Sequence, residues 1–122
     1  MHISEAESIV MEALWRHSPS SAEEVAAAVA SQGWQEATVK TLLNRLLKKK
    51  AIRAEKEGRR YLYTPVVRRE AWVLEESQGL LERLFGGRVA PLVAHFSQHR
   101  KLSRKDIAEL RRLLEELDDD RR

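Results

Sequence analysis

Residues 36–65, EATVKTLLNRLLKKKAIRAEKEGRRYLYTP, change hydrophobic period half-way along, and that change decides the fold. From Glu36 to Lys49, Val39, Leu42, Leu43, Leu46 and Leu47 recur at i, i+3, i+4, i+7 and i+8, the buried stripe of an amphipathic helix. The opposite stripe holds Ala37, Lys40, Thr41, Asn44 and Lys48, with Thr38 and Arg45 at its margins. From Ile52 the period shortens. Ile52–Glu57 reads as a strand, Gly58-Arg59 as a tight turn and Arg60–Thr64 as a second strand, in which Tyr61, Leu62 and Tyr63 favour extended backbone. Pro65 ends the hairpin.

Two more helices precede this segment. Ser4 and Glu7 have capping-box spacing and open a helix to about Arg16, with Ile9, Val10, Ala13 and Leu14 on one face. His17-Ser18-Pro19-Ser20 breaks it. Ser21 and Glu24 repeat the capping signature and open a helix to about Ser31, striped by Val25, Ala26 and Val29. Gly33 suits the cap that follows. Three short helices and then a basic hairpin is the winged helix-turn-helix order.

After Pro65 the chain reads as helical again. Arg68 to about Phe85 carries Trp72, Leu74, Leu81, Leu84 and Phe85, and Gly86-Gly87 ends it. Val89 to about His99 carries Leu92, Val93 and Phe96. Ser103 with Asp106 caps a last helix, where Ile107, Leu110, Leu114 and Leu117 alternate steps of three and four like a coiled-coil seam. The Asp118–Arg122 tail is expected to fray. Some 57 residues in three helices bury little apolar surface alone, so a second copy of the chain is the simplest cover. The expected fold is mainly α: a winged helix-turn-helix DNA-binding domain over residues 1–66 and a three-helix dimerisation domain over 67–122.

The formal charge of +3 over 122 residues hides an uneven distribution. Residues 1–36 carry −5, residues 37–65 carry +7 and residues 66–122 carry +1. A basic block beside an acidic one is an electrostatic footprint for a polyanion. The chain lacks cysteine, which excludes disulfides and thiolate metal sites. It has no apolar run long enough for a membrane helix and no basic-then-apolar leader, so a cytoplasmic protein without membrane insertion is expected.

One α-helix fits the major groove and reads base edges with its exposed side chains. On the polar face, Asn44 suits adenine, Arg45 or Lys40 suits guanine or phosphate, and Thr38 and Thr41 suit phosphate or a thymine methyl. The start of the second helix, near Ser20 and Ser21, offers free amides to a phosphate. Gly58, Arg59 and Arg60 at the hairpin tip reach toward flanking backbone or minor groove. His95 and His99 stand at i, i+4, a spacing that can hold a metal, yet two rings half fill a tetrahedral site, so surface or interface histidines and no metal or other cofactor are expected. Trp15, Trp34 and Trp72 read as packing residues. No nucleophile–base motif or distinctive carboxylate pair suggests an enzyme. Two other classes stay open: a winged-helix protein-interaction module, and a small enzyme or metal-responsive regulator.

The segments SEAESIVMEALW (4–15), TVKTLLNRLLKK (38–49), EKEGRRYLYTPVV (55–67) and LFGGRVAPLVAHF (84–96) together make the chain resemble the penicillinase repressor (BlaI/MecI/CopY) family over nearly its whole length. The resemblance implies a winged-helix homodimer that binds dyad-symmetric operator DNA and represses genes of β-lactam resistance or related stress responses. It carries Thr38, Lys40, Thr41, Asn44 and Arg45 over as recognition-helix positions and sets Arg59, Arg60 and Tyr61 on the wing. In the β-lactam branch a membrane-bound sensor metalloprotease triggers cleavage of the repressor at an Asn-Phe pair. This chain has His95-Phe96 there, keeping the Phe and not the Asn. The copper-sensing branch uses a C-terminal cysteine motif, which this chain does not have.

Overall fold

The structure, a computed structural model, describes residues 1–121. The elements run α1 (Glu5–Arg16), β1 (Ser20–Ser21), α2 (Ala22–Ala28), a 3₁₀ turn (Ala30–Gln32), α3 (Glu36–Lys48), β2 (Ile52–Glu57), β3 (Arg60–Pro65), α4 (Arg69–Phe85), α5 (Val89–Gln98) and α6 (Arg104–Asp120). They form two compact units, Met1–Val73 and a second that begins at Leu74.

All three capping boxes are made. Ser4 Oγ accepts from the Glu7 amide at 3.1 Å, Ser21 Oγ from the Glu24 amide at 3.2 Å, and Ser103 Oγ from the Asp106 amide at 3.0 Å. Each acid returns a bond to the serine amide, so donors that no helical carbonyl reaches are satisfied. Two expectations change. The second helix ends at Ala28 and tightens into the 3₁₀ turn rather than running to Ser31. The acidic tail, expected to fray from Asp118, is helical through Asp120, and Arg122 lies outside the described residues.

The first unit is a winged helix. Val39, Leu42, Leu43 and Leu46 of α3 are buried and meet Val10, Met11 and Leu14 of α1 and Val25 and Val29 near α2. Fully burying one such side chain contributes roughly 1.5–3 kcal/mol. Leu47, expected in the same stripe, is only half-buried. The helix closes in a Schellman-type end: Ala51 N–H donates to Leu46 O at 3.0 Å and Lys50 N–H to Leu47 O at 3.0 Å. Lys50 takes the left-handed position there, with φ +63°.

The sheet has three strands in the order β1-β3-β2, all antiparallel. The hairpin pairs Ile52 with Pro65 and Glu57 with Arg60. Gly58 sits at φ +63°, the conformation that a two-residue loop matched to strand twist asks of glycine. The third strand, Ser20–Ser21 against Tyr63 and Leu62, is not expected from the sequence, where Ser20 reads as part of a helix break and Ser21 as a helix cap.

The first turn of α4 belongs to this unit. The Trp15 and Trp72 rings are 5.5 Å apart. The Trp15 indole N–H donates to Val67 O at 2.9 Å, and Arg69 Nε pairs with Glu12 Oε1 at 2.9 Å. In the second unit, by contrast, no described residue of α4, α5 or α6 is fully buried.

Candidate nucleic-acid interface

Because Val39, Leu42, Leu43 and Leu46 point into the core, helical geometry turns the rest of α3 outward. Thr38, Lys40, Thr41, Asn44, Arg45 and Lys48 are all exposed. Asn44 and Arg45 have no side-chain hydrogen bond or ion pair among the described residues. Thr41 Oγ1 donates to Ala37 O at 3.0 Å, which occupies its proton and leaves oxygen lone pairs and a methyl outward. Lys40 stands 3.7 Å from Glu36 Oε1, an exposed i, i+4 pair that costs little to break.

The wing brings its cations to the same side. Arg59 lies in the turn and Arg60 directly after it, and Tyr61 is 51% exposed at the start of β3. Lys40, Arg59, Arg60 and Tyr61 line one cleft of about 300 Å³ between the starts of α2 and α3 and the wing. Glu23 and Glu36 line it too, so two carboxylates are set against three cations. An extended polyanion would meet the cations at the wing tip and the exposed α3 face beyond.

Ser20 and Ser21 themselves are held within the fold. Both are buried, Ser20 Oγ donates to His17 O at 2.7 Å, and the Ser21 amide donates to Glu24 Oε1 at 3.1 Å. These hydroxyls and the Ser21 amide are committed to β1 and the capping box. The bonds from Ser21, amide first and hydroxyl second, hold the Glu24 carboxyl below its usual range. Tyr63 was missed as part of the cleft. Burial first and the neighbouring Tyr61 second push its hydroxyl above the usual 10. Its place follows from the β1–β3 pairing, which local periodicity does not announce.

On the second unit, Leu92 and Leu110 are half-buried, while Phe96, Ile107, Leu114 and Leu117 are exposed. His95 and Phe96, the expected cleavage pair, are both exposed on α5. No helix among the described residues is long and apolar enough to cross a membrane.

The family model described as penicillinase repressor matches residues 3–116. The chain belongs to the penicillinase repressor family. Within that family it is 36% identical over 115 residues to the penicillinase repressor of Bacillus licheniformis, covering 93% of this chain and 90% of the relative. It is 30% identical over 113 residues to the methicillin resistance regulatory protein MecI of Staphylococcus aureus, covering 92% of each. Among solved structures it is similar to the DNA-binding domain of the repressor BlaI, with a TM-score of 0.52 and 39% identity over 56% of this chain and 84% of that one. It is also similar to the monomeric form of Bacillus licheniformis BlaI in complex with the blaP half-operator, with a TM-score of 0.51 and 38% identity over 57% of this chain and 87% of that one. The winged-helix architecture of this family member is therefore shared with repressor DNA-binding domains.

Proposed function

We propose that this chain is a DNA-binding transcriptional repressor that acts as a homodimer on dyad-symmetric operators of resistance genes. One observation carries the reading: the outward face of α3 is polar, basic and exposed, its inner face is locked into the core by four buried side chains, and two wing arginines stand beside it. A rigid helix with Asn44 and Arg45 free on its surface matches base edges in a major groove, where Asn suits adenine and Arg suits guanine. Thr38, Lys40, Thr41 and Lys48 continue that face, and Arg59, Arg60 and Tyr61 take flanking backbone. The similarity to a repressor bound to a half-operator supports this assignment.

Residues 1–66 serve as the DNA-binding part and 67–122 as the dimerisation part in this reading. Exposed apolar side chains support it: Leu114 is 61% and Leu84 65% exposed in the single chain. Leu92, Phe96, Ile107, Leu110, Leu114 and Leu117 form the contact face. Charge supports a second copy as the cover. Arg104, Lys105, Arg111 and Arg112 weight the first part of α6, while Glu115, Glu116 and Asp118–Asp120 fill its end, against the helix dipole. An antiparallel twin sets each end against its opposite. Two linked half-site contacts then gain on the order of 10²–10⁴-fold in affinity. Induction runs through cleavage at His95-Phe96, under a membrane-bound sensor metalloprotease, because a cut within α5 dismantles the contact face and uncouples the half-sites. The repressor itself works in the cytoplasm, without enzymatic activity.

The test is selection of fragmented genomic DNA on the purified chain, followed by sequencing. Enrichment of one inverted repeat upstream of a few genes is expected. Retention of fragments without a shared sequence overturns the reading.

A further inference from the structure

We propose that His95 and His99 form a chelating site for one divalent transition-metal ion on α5. The two residues are one helical turn apart, both are exposed, and their ring centroids lie 4.7 Å apart. Neither imidazole hydrogen-bonds or pairs with a carboxylate among the described residues, so their nitrogens are open to a ligand. The His95 ring is also confined. It packs 5.9 Å from Phe85 and edge-on 5.7 Å from Phe96, which limits the rotamers it loses on binding.

The separation fits one shared ion. With metal–nitrogen bonds of about 2.1 Å, and a ring centre about 1.15 Å behind the ligating nitrogen, two imidazoles at a right angle hold their centres about 4.6 Å apart, and at a tetrahedral angle about 5.3 Å. The observed 4.7 Å lies at the right-angle end. That answers the objection raised by the sequence, that two rings half fill a tetrahedron. Neighbouring positions of a six-coordinate ion need only two protein ligands, and water completes the rest. No cluster of three metal-binding side chains occurs among the described residues. The donor set is thus imidazole alone, which suits Ni²⁺, Cu²⁺ and Zn²⁺ and not the oxygen-seeking Mg²⁺ or Ca²⁺. Helical i, i+4 histidines bind metal by the same spacing elsewhere.

The site rests on α5 alone and does not depend on the DNA-binding reading. Its test uses the full, untagged chain titrated with Ni²⁺ by calorimetry, with Mg²⁺ as the contrasting ion. His95→Gln and His99→Gln are compared with a control carrying His2→Gln and His17→Gln, circular dichroism verifying that each is folded. One Ni²⁺ per chain is expected, with binding unchanged in the control. Each ring raises the effective concentration of the other, so loss of either weakens binding at least about tenfold. Ni²⁺ is also expected to raise the melting temperature of the parent and not of His99→Gln, because the chelate spans a turn of α5. Absence of saturable Ni²⁺ binding, binding that survives both single substitutions, or equal binding of Mg²⁺ overturns the site.

Discussion

Lys49 Nζ lies 2.5 Å from Glu7 Oε1. The pair joins the end of α3 to the start of α1, and the carboxylate is almost wholly buried. Lys49 also donates to His2 O at 2.9 Å, and Glu7 Oε1 takes the Ser4 amide at 2.8 Å. One lysine of the basic block is thus a clamp for the fold rather than a contact for a polyanion. Glu7 Oε2 has no partner among the described residues, so the carboxylate depends on Lys49 and Ser4 for what water would have supplied.

Lys49→Met leaves that charge buried and uncompensated. Breaking a fully buried pair costs roughly 3–5 kcal/mol. The Lys49 side chain is one-third exposed, so about 2 kcal/mol is expected by urea denaturation. Lys49→Met together with Glu7→Gln recovers part of the loss.

The same carboxyl sets an acid limit. Burial pushes its pKa up, but the bonds from Lys49 and from the Ser4 amide and hydroxyl outweigh that and hold it below the usual 4.5. A carboxyl depressed in the folded state stabilises the fold above its unfolded value, and the contribution is lost as pH falls through the folded value. Stability is therefore expected to decline below about pH 4.5, and Glu7→Gln to flatten that decline in denaturation curves taken across pH. An identical pH profile in the variant would remove Glu7 from the account.

Asn44→Ala and Arg45→Ala are expected to weaken operator binding by about 1–3 kcal/mol each, roughly 5- to 150-fold, with unchanged melting temperatures. Both side chains are exposed, so the fold does not rely on them. Anisotropy titrations at fixed salt measure the loss.

Arg59→Ala and Arg60→Ala differ in kind. A wing arginine on a phosphate releases a counterion when it binds. Each substitution is expected to weaken binding to all sequences alike and to lower the slope of log affinity against log salt by about one. A titration series over salt distinguishes this from lost base reading.

Leu110→Asp and Leu114→Asp place a charge on the α6 seam. A dimer by light scattering in the parent and a monomer in both variants is the expected outcome. Unchanged mass in both would reject the seam.

Much of this was legible because local signals agreed with the global fold. Capping boxes at Ser4, Ser21 and Ser103 marked three helix starts, and the switch of period after Lys49 marked the wing. The exposed face of α3 followed from its leucine stripe. What escaped depended on partners distant in sequence. Ser20–Ser21 is a strand only because Tyr63 and Leu62 lie beside it, and serine has no extended preference to reveal that. Glu7 was legible as a capping residue, but its burial follows from Lys49, 42 positions away. The shared cleft of Tyr63, Glu23 and Glu36 likewise depends on the sheet.

The bond from the Trp15 indole to Val67, and the packing of Trp72 against the same ring, fix where a working DNA-binding fragment should stop. Cut after Pro65, the fragment would lose the acceptor for that indole and leave an aromatic ring bare to solvent. Carried to Val73 it keeps both, and is the piece to purify for spectroscopy on operator DNA.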